Sequence, residues 1–166
     1  AAGKEAIELD GPGGGMSAGT FSPDGATIAT GSEHGIYLWN ATTGRQVKAF
    51  GKNLFNVRSL AFSSDGKVLA SGSDEPNGTD SAQLWDVLTG RKIRNVGRKQ
   101  GVECVAFSPD GRVLALAGRG DSVRICNPTD GIEIASLPLD IQCYSLAFSP
   151  NGNALATEGK DHSISL

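Results

Sequence analysis

The stretch AFSPDGRVLALAG, residues 106–118, decides how this chain is read, because the chain repeats it. TFSPDGATIATGS (20–32), AFSSDGKVLASGS (61–73) and AFSPNGNALATEG (147–159) align with it without gaps. Their phenylalanines, Phe21, Phe62, Phe107 and Phe148, recur 41, 45 and 41 residues apart. Self-similarity at a fixed period of this size is the mark of a repeat architecture. A second marker keeps the same beat: TTGRQV, LTGRKI and TDGIEI place Gly44, Gly90 and Gly131 at 46 and 41 residues. The irregular spacing belongs to one insertion, DEPNGTD, residues 74–80.

Each unit spells out strands and turns. VRSLAF and VECVAF partly alternate before the turn SPDG, in which Pro presets φ, Asp bonds its own backbone and Gly takes φ>0. A short apolar strand follows (ATIAT, KVLAS, RVLAL, NALAT), then a polar turn and IYLW, AQLW or VRIC. Beyond the TG turn, RQVKAF, RKIRNV and IEIASL alternate in a more polar way, as an edge strand facing solvent does. A helical reading fails because Gly, Asp and Pro interrupt every apolar run. The expectation is a four-stranded antiparallel meander per unit, with units stacked face to face around an axis, because one such sheet has two faces to cover. The fold class is all-β, a β-propeller with about four blades present.

These residues resemble the WD-repeat family, through the FSPDG turns, LASGS, LWN at 38–40, LWD at 84–86 and TGR. The resemblance covers nearly the whole chain, and the SPDG-like turns are similar to bacterial arrays. It also has departures: where the family places Gly-His before the Phe, this chain has Gly11-Pro12, Lys52-Asn53, Gly97-Arg98 and Pro138-Leu139. The family's Asp, His, Ser/Thr and Trp network is complete nowhere. Asp161 with Ser163, and Ser81 with Trp85, match two of its members each.

The expected organisation is an outer strand of a preceding blade at 1–11, blades at 12–51, 52–97 and 98–138, and a partial blade at 139–166. EAIEL near the start and HSISL at the end suit the outer and third strands of one blade. Three readings of the ends stand open: a fragment of a longer array, which is favoured; two chains pairing four blades with four; and an unusual four-bladed closure.

A net charge of −3 gives no field that would draw in nucleic acid or an acidic membrane surface. No apolar run approaches the ~20 residues of a membrane-spanning helix. Cys104, Cys126 and Cys143 have no CxxC spacing and are expected to be buried, reduced thiols acting as small apolar residues. That fits a reducing compartment and a cytoplasmic location. His34 and His162 sit in or beside turns without a nucleophile motif, so no catalytic residue is expected. The oxygen-rich insertion Asp74, Glu75, Asn77, Asp80 misses the EF-hand spacing, and Asn40 and Asn77 head formal glycosylation sequons in turns. Neither a metal nor a cofactor is expected.

The resemblance implies a non-catalytic interaction scaffold that docks a protein or peptide on its narrow face, six and four residues before each blade's Phe. Those positions are Gly15 and Ser17, Asn56 and Arg58, Gly101 and Glu103, Gln142 and Tyr144. Arg58 and Tyr144 are the best anchors by residue type. Arg119 and Lys160 add positive charge to a rim that the insertion makes acidic, so no single charge class of partner follows. A TolB-like or quinoprotein-like ligand-binding propeller is the alternative, which LWD followed by TGR disfavours. A second copy of the chain, or further blades, is the remaining candidate partner.

Overall fold

The computed structural model describes residues 8–9, 15–52, 54, 56–73, 82–97, 101–118, 120, 122–139, 142–159 and 164–165. They form four antiparallel sheets in chain order. The first holds β1 (Ala18–Phe21), β2 (Thr27–Ser32), β3 (Gly35–Asn40) and β4 (Gln46–Phe50). In the second are β5 (Val57–Phe62), β6 (Val68–Ser73), β7 (Ala82–Asp86) and β8 (Lys92–Val96). The third has β9 (Val102–Phe107), β10 (Leu114–Gly118), β11 (Ser122–Cys126) and β12 (Glu133–Pro138). β13 (Cys143–Phe148), β14 (Leu155–Gly159) and β15 (Ile164–Ser165) make the last. Each is a meander whose neighbours in sequence are neighbours in space, as the repeat predicts.

The register is the same in every blade. Phe21 pairs with Ile28, Phe62 with Leu69, Phe107 with Leu114 and Phe148 with Leu155. This repetition follows from the turn between them. In each turn a Ser hydroxyl donates to the Asp or Asn two residues on, Ser63 to Asp65 at 2.7 Å and Ser149 to Asn151 at 2.7 Å. The same side chain accepts the backbone N–H two residues later, and the glycine between takes φ near +70° at Gly25, Gly66, Gly111 and Gly152. A side chain there would force a left-handed backbone that Cβ disfavours. The polar turn thus satisfies itself and fixes the hairpin.

The inner strands lie side by side, β1 against β5, β5 against β9 and β9 against β13. Three apolar clusters fill the seams. Ala29, Ile36 and Leu38 of the first blade meet Leu60, Phe62, Leu69 and Trp85 of the second. Ala70, Ala82 and Leu84 meet Val102, Val105, Leu114 and Leu116, and Ala115, Ala117 and Val123 meet Cys143, Leu146 and Phe148. Seam burial dominates the energetics: Phe62 is 9% exposed against the first blade, while Phe21, with no described blade before it, is 62% exposed. Covering such a side chain contributes roughly 1.5–3 kcal/mol.

The outer strands β4, β8 and β12 are mostly exposed, in line with their polar alternation. Among the described residues, no helix is long and apolar enough to cross a membrane.

The Trp85 indole N–H donates to Ser71 Oγ at 2.9 Å, and that of Trp39 to Thr30 Oγ1 at 2.8 Å. This corrects the sequence matching of Trp85 with Ser81: the hydroxyl comes from β6, the strand beside the tryptophan. Ser81, Asp161 and Ser163 lie outside the described residues, as do the insertion at 74–80 and all but residues 8–9 of the outer strand expected at 1–11.

Candidate docking surface at the inner-strand starts

All four inner strands begin at one end of the stack, and the residues singled out in the sequence sit there. Ser17 immediately precedes β1, Asn56 precedes β5 and Arg58 is its second residue. Glu103 and Tyr144 are the second residues of β9 and β13, and Gln142 precedes β13. Arg119 and Lys160 lie outside the described residues.

Three of these residues form one constellation across the seam between the second and third blades. Arg58 Nε lies 3.7 Å from Glu103 Oε2, the arginine side chain 40% and the glutamate 14% exposed. With its amide oriented to face Arg58, the Asn56 oxygen accepts from Nη2 at 3.0 Å and Nε at 3.3 Å. Asn56 is the one described non-glycine residue with positive φ, at 43°, a conformation asparagine tolerates better than most. The kink turns the amide back over its own strand and onto the guanidinium. A partly exposed pair of this kind contributes about 0.2–1 kcal/mol, so its main effect is to hold Arg58 in one orientation.

The other positions divide between structure and exposure. Ser17 Oγ donates to the Val57 carbonyl, tying the first blade to the second. Tyr144 is 46% exposed and Gln142 half-buried. Arg58, Glu103 and Tyr144 occupy the same repeat position in consecutive blades. Opposite charges at one position of adjacent repeats were the available sign that Arg58 and Glu103 would pair. Ser59, whose Oγ accepts the Val105 N–H at 3.1 Å, also bridges two blades, and its sequence context carries no such sign.

The opposite end, six residues of strand or roughly 20 Å away, carries the turn serines and aspartates. There a groove of about 430 Å³ opens between the second and third blades, lined by Asp65, Leu84, Ile93, Arg94, Phe107 and Asp110 among others. His34 lies in the turn between β2 and β3, where its backbone N–H donates to Ser32 Oγ at 3.0 Å. Among the described residues, no group of three or more His, Cys, Asp or Glu side chains is placed to hold a metal ion.

A family model described as WD domain, G-beta repeat matches residues 3–40, 44–86, 90–127 and 139–166. The chain belongs to the WD40-repeat family. Its repeats are 32% identical over 143 residues to telomerase protein component 1 of Rattus norvegicus, covering 84% of this chain and 5% of that protein. Over 112 residues they are 36% identical to WD repeat-containing protein SL1-17 of Schistosoma mansoni, covering 67% of the chain and 36% of that protein. The guanine nucleotide-binding protein subunit beta of Arabidopsis thaliana is 30% identical over 116 residues, 63% of the chain and 30% of the subunit. The WD40 chain thus spans about a third or less of the length of these relatives.

Proposed function

We propose that this WD40 segment is a non-catalytic docking module that binds a protein or peptide at the inner-strand starts, as part of a larger regulatory protein. The observation that carries the reading is the Asn56–Arg58–Glu103 constellation, which fixes an arginine across a blade seam, with Tyr144 exposed at the matching position of the next blade. Arg and Tyr are enriched among residues that dominate binding energy, and a pre-oriented guanidinium loses less freedom on binding. Relatives that include a guanine nucleotide-binding protein subunit support a scaffold rather than an enzyme. The pairing of Arg58 with Glu103 makes the surface mixed in charge, so a partner that offers polar groups of both signs beside an aromatic or aliphatic side chain fits it best.

The test is a photo-crosslinking residue placed at Tyr144 or, as a control at the other end, at Thr129 in the groove. Adducts with a common protein from position 144 and none from 129 are expected. Adducts from 129 alone would move docking to the turn-end groove. Arg58→Ala with Tyr144→Ala should weaken the captured partner's binding by more than ~1 kcal/mol, over fivefold; unchanged binding would remove these residues as anchors.

A further inference from the structure

Cys104 and Cys143 come from the inner strands of neighbouring blades and face each other inside the seam. Their Sγ atoms are 3.8 Å apart, with Cys104 4% and Cys143 1% exposed. The third thiol, Cys126, belongs to the seam on the other side of the third blade. From the structure we propose that Cys104 and Cys143 form a redox-active dithiol, which a hydroperoxide closes into a disulfide joining the third blade to the fourth.

The geometry leaves little to move. A disulfide needs a sulfur–sulfur distance of about 2.05 Å, so the gap must close by about 1.8 Å. The two strands already lie side by side, and side-chain rotation at small residues supplies part of that distance. The surroundings divide the roles. Cys143 is shifted down, first by its hydrogen bond with the Cys104 thiol and further by backbone hydrogen bonds with Ser145 and Glu158, against burial and the Glu158 charge. Its Sγ also lies 3.2 Å from the Ser145 carbonyl, to which the thiol form donates. Cys104 is held up, first by its hydrogen bond with Cys143 and then by burial, with the charges of Cys143 and Glu103 adding to it. Either sulfur can donate in the bond between them, and Cys143, the one shifted down, serves as the nucleophile. Cys126, pushed up to about 11 chiefly by burial, has no such partner thiol and stays inert.

The chemistry balances in two steps. The Cys143 thiolate attacks one oxygen of hydrogen peroxide, breaking the O–O bond; hydroxide leaves, and the sulfur becomes a sulfenic acid. Cys104 then attacks that sulfur as its proton is lost, the S–O bond breaks, and the disulfide forms. The two thiols are oxidised by two electrons, the peroxide is reduced, and two waters result. A dithiol reductant reverses the link by exchange through a mixed disulfide. This chain differs at the seam from its own other blades, which place Val57 and Val102 where Cys143 stands.

The experiment treats the intact chain with hydrogen peroxide, unfolds it, alkylates the free thiols and weighs it. The expected product carries one alkyl group instead of three and has lost the mass of two hydrogens. It should return to three alkyl groups after dithiothreitol and show a higher urea midpoint while oxidised. Cys126→Ala should still lose two hydrogens, while Cys104→Ser should instead gain an oxygen at Cys143 that dimedone traps. Three alkyl groups after peroxide, a link through Cys126, or sulfinic acid at Cys143 in the unmutated chain would each overturn the proposal.

Discussion

The indole N–H of Trp85 donates to the hydroxyl of Ser71 inside the second blade, across the pair of strands β6 and β7. Ser71 is 1% exposed, so neither group has water as a substitute partner. At the same position of the third blade both polar groups are gone: Leu116 replaces the serine and Cys126 the tryptophan, each fully buried. Removing one partner strands the other, whereas removing both together costs little. Ser71→Ala and Trp85→Phe should each destabilise the chain by about 1–3 kcal/mol, the second with some lost packing against Phe50. The double variant should cost about 1 kcal/mol less than the sum. Urea unfolding of the four proteins checks this, and strict additivity would mean that the bond contributes nothing.

Acid should loosen the hairpin turns. Asp24, Asp65 and Asp110 are each held below the usual carboxylate range, first by the hydroxyl of Ser22, Ser63 or Ser108 and then by a backbone N–H. A carboxyl with a depressed native pKa contributes stability that is present above its unfolded pKa, near 3.9, and is lost as pH falls through the native value. The urea midpoint is therefore expected to be flat from pH 7 to about 5 and to fall below about pH 4. These carboxylates are exposed, so the decline is shallow. Asn151 makes the same two hydrogen bonds without a titratable group. Replacing all three aspartates with asparagine should flatten the acid limb; an unchanged limb would place its origin elsewhere.

The seams tolerate no added carbon where a glycine faces a valine. A Cβ on Gly31 would come within 2.4 Å of Val57 Cγ1, and one on Gly72 within 2.9 Å of Val102 Cγ1 and of the Val102 carbonyl oxygen. At the next seam the corresponding residues are Ala117 and Cys143, packed in one cluster, the extra methyl matched by a smaller partner. Gly31→Ala should cost about 1–3 kcal/mol by overpacking. Adding Val57→Cys should recover part of it, measured by thermal or urea unfolding. A Gly31→Ala protein as stable as the parent would show that the strands separate freely.

The architecture was legible because it rests on local chemistry that repeats. SPDG turns, alternating strands and TG turns each determine their own geometry, and each recurs at the same register. Side-chain partnerships between strands were harder to read. Trp85 reaches Ser71 rather than Ser81 because antiparallel pairing, not distance along the chain, decides which hydroxyl is beside the indole. Arg58 and Glu103 stand 45 residues apart in sequence, yet the seam brings them together. The cysteines are buried and unbridged, in keeping with small apolar residues. Their composition and spacing gave no sign that two of them touch, since contact depends on the bulged start of β13, between Cys143 and Ser145.

The glycine–valine and alanine–cysteine fits also give the blades an address. A repeat looks interchangeable when its turns and strands are compared, but the seams come in two cuts, glycine against valine and alanine against cysteine. Moving the third blade ahead of the second would set Ala117 against Val57, the clash that Gly31 avoids. Part of the order of the modules is thereby written into their flanks, and a shuffle that sets one cut against the other would have to rewrite that join.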